Sequence, residues 1–152
     1  MDVMIDEEGE YEEEEEVEEE ESDAEESDKM RGYFIAFEVL NDRRLLTLLA
    51  ESLDSCLQVS KLLKNARINI PQSTLHRLLK RLVNAGVIKE GKGVDRRKRF
   101  YILTDFGRYV MEIVADAIAK QLKVTNDKDL AMKLGIDLIT LNKLVGSRQM
   151  RR

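Results

Sequence analysis

The chain has 152 residues, enough for one domain plus attachments. Its net charge of -5 conceals a division: residues 1–28 hold 18 Asp/Glu and no Lys or Arg, so the other 124 residues hold 25 Lys/Arg against 12 Asp/Glu, a local charge of +13. One cysteine excludes an internal disulfide, one cysteine with one histidine is too few for a zinc site, and no apolar run approaches the ~20 residues of a membrane span. The acidic first residues do not read as a secretory or mitochondrial leader, so a cytoplasmic location is expected.

Segment 1–29 is of low complexity, with Glu12 to Glu16 and Glu18 to Glu21 separated only by Val17. Like charges and scarce apolar residues predict a disordered tail. Order is expected to begin near Tyr33, with Phe34, Phe37 and Leu40 on a first helix. Asp42 can cap a second helix that buries Leu45, Leu46, Leu48 and Leu49. A break at Leu53 to Ser55 precedes a short helix of roughly eight to ten residues marked by Val59, Leu62 and Leu63. Cys56, among apolar neighbours just ahead of it, is expected to be buried and structural.

Pro71 opens the next helix, predicted over 71–85, because its missing N–H costs nothing in a first helical turn. Leu75, Leu78, Leu79 and Leu82 form its inner face, and Gly86 ends it. Val87 to Glu90 and Arg99 to Leu103 read as the arms of a β-hairpin whose loop is rich in positive charge. Thr104 or Asp105 caps a long helix from Phe106 to about Lys123. Gly135 and Asp137 then mark the turn of a C-terminal helical hairpin within 124–152. The expected fold is thus mainly α with a small β-hairpin wing. The domain boundaries are a tail at 1–29, a globular part at 30–123 and the hairpin with its basic end at 124–152.

Two stretches carry a resemblance to a known family. Ser73-Thr74-Leu75-His76-Arg77-Leu78-Leu79-Lys80-Arg81-Leu82-Val83-Asn84-Ala85-Gly86-Val87-Ile88 resembles the recognition helix and first wing strand of ArsR-, MarR- and PadR-like winged helix-turn-helix regulators. Tyr101-Ile102-Leu103-Thr104-Asp105-Phe106-Gly107 resembles their exit from the wing into the final helix. The resemblance spans residues 34–122 and implies a transcriptional regulator that binds double-stranded DNA as a homodimer.

The residues themselves agree with that chemistry. A helix fits the major groove and reads base edges through its exposed side chains. Here these are Gln72, Ser73, Thr74, His76, Arg77 and Lys80, with Arg81 toward the flank. Gln72 can bond adenine, Arg77 can pair bidentately with guanine, and Ser73 and Thr74 sit where a helix N-terminus holds phosphate. The basic wing at 91–99 contributes Lys92, Arg96, Arg97, Lys98 and Arg99, suited to phosphate or minor-groove contact.

The wide apolar stripe of the long helix, Phe106, Tyr109, Val110, Ile113, Ala117 and Ile118, is expected to pair two copies. The C-terminal hairpin looks like a repressor helix-turn-helix, but Leu138 and Ile139 stand where base-reading residues would be polar. It is therefore expected to dock on protein, the dimer partner included, while Arg148, Arg151 and Arg152 add unspecific phosphate contacts. A tail of -18 tethered to a +13 domain can compete with phosphate for the DNA surface. The alternative is a winged-helix protein-interaction module of the transcription or replication machinery, with the tail as a partner-binding arm. No phosphate-cradling glycine loop or metal-ligand cluster is present in the sequence, so no enzyme and no cofactor are expected, and a DNA-binding role would place the chain at the nucleoid.

Overall fold

A computed structural model describes residues 25–92 and 98–149. The fold is mainly helical with a small antiparallel sheet. Helix α1 (25–40) is already formed at Glu25, earlier than the onset expected near Tyr33, and Asp28 and Arg31 pair across one turn at 3.6 Å. Its inner side buries Gly32, Ala36 and Val39. In α2 (Arg43–Asp54) the Asp42 carboxylate accepts the Arg44 N–H at 3.0 Å. Leu45, Leu46, Leu48 and Leu49 are all buried, as their spacing predicts.

A two-residue strand, β1 (Leu57–Gln58), follows and leads directly into α3 (Val59–Lys64), which is shorter than expected. Two residues show no periodicity, so β1 exists only through its pairing: Leu57 lies opposite Tyr101 and Gln58 opposite Phe100. Cys56, at the turn into β1, is exposed rather than buried, because Leu57 takes the inward position beside it. After α4 (Gln72–Asn84) come β2 (Ile88–Lys92) and β3 (Arg99–Leu103), paired from Ile88–Leu103 to Lys92–Arg99. The sheet order is β1-β3-β2.

One junction holds α4, the sheet and α5 (Asp105–Gln121) together. Gly86 takes φ +79°, a left-handed conformation that glycine adopts without penalty. The N–H groups of Gly86 and Val87 then return to Val83 and Leu82, closing the last turn of α4. The Thr104 hydroxyl donates to the Gly86 carbonyl at 2.5 Å and accepts the Gly107 N–H at 2.9 Å, so it caps α5 and anchors it to the end of α4. Gly107 lies so close to the Val87 carbonyl that a Cβ there would collide with it.

The Asn126 side chain accepts the Asp129 N–H and caps α6 (Asp127–Leu134), and Gly135 turns the chain at φ +74° into α7 (Leu138–Gln149). The hairpin docks on its own chain. Helix α7 packs against α2 and α5, and Thr140, Leu141 and Leu144 are buried in the core shared with the earlier helices. A hairpin this short cannot bury a core alone, so the surface left by α2 and α5 completes it. Leu138 and Ile139 stay exposed. No helix among the described residues is long and apolar enough to cross a membrane.

Removing the Thr104 hydroxyl should therefore weaken two elements at once. We expect Thr104→Val to cost about 1–2 kcal/mol, in line with the loss of a helix cap. Gly107→Ala should cost about 1–3 kcal/mol through overpacking. Urea unfolding of the two variants beside the parent measures both.

Candidate nucleic-acid interface

The approach to α4 is held by local bonds. The Asn65 side chain accepts the Arg67 N–H at 3.1 Å, and Asn69 takes φ +48°, which asparagine tolerates better than a branched residue. Ile68 and Ile70 point into the core. Pro71, at the cap position one residue before the helix, presents its carbonyl to the Leu75 N–H at 2.9 Å. No side chain caps this end, so the leading N–H groups of α4 keep their positive dipole end open to a ligand.

Leu75, Leu78, Leu79 and Leu82 bury one side of α4. That turns Gln72, Ser73, His76, Arg77 and Lys80 outward, with Thr74 half-buried. Arg77 and Lys80 have no acidic ion-pair partner among the described residues. Arg81 differs: its guanidinium donates to the Glu38 carboxylate of α1 at 2.7 Å, which turns it toward α1 and away from the outer face of α4. Arg99 stands 3.4 Å from Glu90 on the neighbouring strand.

An open cleft of about 380 Å³ runs between α3, the start of α4 and β3. Gln72, His76, Lys98 and Arg99 line it together with Gln58 and Ser60. The last two were not among the expected site residues. Ser60 is readable from the sequence as an outward position of α3, whereas Gln58 comes to the cleft only through the β1–β3 pairing. Of Lys92 only the backbone is described; Arg96, Arg97, Arg151 and Arg152 lie outside the described residues, as does the side chain of Arg148. Of the expected tail, residues 1–24 also lie outside them.

The residues of α5 expected to pair two copies are largely engaged inside the chain. Val110 and Ile118 are buried in its own core. Phe106 carries the Arg31 guanidinium 3.9 Å above its ring, and Tyr109 and Ile113 lie against Gly32 of α1. Ala117 is half-buried at the wall of a second cleft. The physical reason is that α1 covers this side of α5. No arrangement of His, Cys, Asp or Glu suited to a metal occurs among the described residues.

A half-buried charge network fixes the turn ahead of α4. Arg67 donates to Glu51 at 2.8 Å, to Asp137 at 3.1 Å and to the Thr140 hydroxyl at 2.9 Å. Lys143 reaches the same Glu51 oxygen at 2.6 Å and Asp54 at 3.0 Å. Burial lowers the pKa of both cations, but the hydrogen bonds to Asp137 and Glu51 raise Arg67, and those to Glu51 and Asp54 raise Lys143, above their ordinary values. Burial also opposes charge on Asp137, yet the N–H and hydroxyl of Thr140 and the Arg67 guanidinium outweigh it and hold its carboxyl below the ordinary range. The C-terminal hairpin thereby clamps the segment that aims α4.

Comparison with protein-family models, with curated proteins and with solved structures yields no match to this chain.

The depressed Asp137 gives a pH dependence of known sign. Its contribution is complete above the ordinary carboxylate pKa of about 4 and is lost as pH falls through the lower folded value. In thermal unfolding, Asp137→Asn keeps a capping oxygen but removes the charge. It should be less stable than the parent at neutral pH, and the gap should close as the pH falls below the ordinary carboxylate range.

Proposed function

We propose that this chain is a winged helix-turn-helix regulator that binds duplex DNA as a dimer. In this reading α4 is the recognition helix and β2–β3 the wing. The observation that carries it is the outer face of α4. Gln72, Ser73, His76, Arg77 and Lys80 project from one side of a helix anchored by four buried leucines. The wing arm then brings Lys98 and Arg99 to the same cleft as Gln72 and His76. Such a surface offers donors for base edges on the helix and cations for phosphate beside it. The helix order α2, α3, α4, then hairpin, then α5 is what a winged helix requires. Arg81 is left out of the base-reading set, because Glu38 holds it.

The acidic tail fits the same reading as a competitor for that surface. Of the 18 acids in residues 1–28, Glu25, Glu26 and Asp28 belong to α1, which leaves 15 in residues 1–24. A tethered polyanion acts at high local concentration and weakens as salt screens it.

A gel-shift titration against a random duplex pool, repeated across salt, tests the proposal. Binding should fall steeply with salt and saturate on a preferred sequence. Arg77→Ala should lose about 1–3 kcal/mol of discrimination at one position, whereas Lys98→Ala should weaken all duplexes alike and flatten the salt slope by about 1. Binding that ignores both changes would argue instead for a protein-contact role. Removal of residues 1–24 should tighten binding at low salt, with the difference shrinking as salt rises. Equal affinity at low salt would exclude the tail as a competitor.

A further inference from the structure

Helix α1 is apolar on two opposite sides. Gly32, Ala36 and Val39 face the core, and Gly32 leaves the space that the Tyr109 ring fills. On the far side, Met30, Tyr33, Phe34 and Phe37 recur at i, i+3, i+4 and i+7 and are 59, 59, 66 and 69% exposed. That spacing makes a continuous stripe, not a scatter of single residues. A continuous apolar stripe of this kind on a helix marks a surface for a partner.

We propose that this stripe is a homodimer interface, α1 of one copy lying antiparallel on α1 of a second. The stripe is complementary to itself. With the two-fold axis between Tyr33 and Phe34, Tyr33 meets the partner's Phe34 and Met30 meets the partner's Phe37. Beside Phe37 is an open apolar cleft of about 440 Å³, walled by Leu40, Ala117, Leu130 and Leu134. A methionine is the side chain best able to adapt to such a gap. The same order sets the acidic start of α1, Glu25 and Glu26, near the partner's Lys120, which lines that cleft. Parallel order would instead crowd the acids of the two copies together. Three aromatics about two-thirds exposed and one methionine offer about 500 Å² per copy. A symmetric pair that covered them fully would remove about 1,000 Å², the threshold for a specific interface, and flanking residues add to it.

Sedimentation equilibrium of the full chain without DNA, from about 1 to 100 micromolar, tests the interface separately from the DNA reading. A dimer in the roughly micromolar range is expected. Phe34→Glu should raise its Kd at least roughly 100-fold, because symmetry places each change in the interface twice. Far-ultraviolet circular dichroism should not change, since the residue is exposed. Phe37→Glu should also weaken the pair, and the M30K/F37E double variant should recover at least about tenfold of it, because only antiparallel order sets the two new charges against each other. A parent that stays monomeric, or a dimer indifferent to Phe34→Glu, overturns the proposal, whether the stripe is then covered by the chain's own first residues or by another protein. A double variant no tighter than F37E overturns the antiparallel order.

Discussion

The Glu51 carboxylate is the point on which three parts of the molecule converge. It takes the Arg67 guanidinium from the turn before α4 and the Lys143 ammonium from α7, while itself fixed on α2. Its side chain is only 15% exposed, so neither cation can exchange it for water without cost. Without Glu51, Arg67 and Lys143 would face each other across a half-buried gap. An internal ion network of this kind is a weak source of net stability and a strong source of geometry. Here the geometry is the aim of α4 relative to the core, and the C-terminal hairpin is part of the mount rather than an appendage.

How much of this was legible in the sequence depended on how far apart the partners lie. The four leucines of α2, the left-handed Gly86 and Gly135, and the caps at Asp42, Thr104 and Asp137 are local signals, decided within one or two helical turns. The outward face of α4 followed from its inward leucines. By contrast, the Arg81–Glu38 pair joins residues 43 apart and the Lys143–Glu51 pair residues 92 apart, and no periodicity reports such contacts. The stripe of α5 misled for a related reason. Apolar width signals that a surface is covered, not by what, and here α1 supplies much of the cover. The exposed Cys56 shows the same limit at a turn, where one residue of register decides which side chain faces inward.

The charge divided along the chain is divided again within its globular part. Among the described residues, Arg67, Arg81 and Lys143 are paired with carboxylates of the same chain, whereas Arg77 and Lys80 have no such partners. The positive charge left unpaired is therefore smaller than the count of basic residues implies. A bulk isoelectric point near 5.1 describes neither part.

Arg31 adds a mechanical consequence. It donates to the Ala85 carbonyl at the end of α4 and stacks on Phe106 at the start of α5, so α1 is bolted to both without an intervening loop. If α4 reads DNA as proposed and two copies join through α1, no hinge separates the coupling shaft from the reading heads. A slip of one helical turn in that coupling, about 5.4 Å, would pass undamped to the spacing between the two α4 helices. The pitch of the DNA and the packing of four side chains would then be two expressions of a single length.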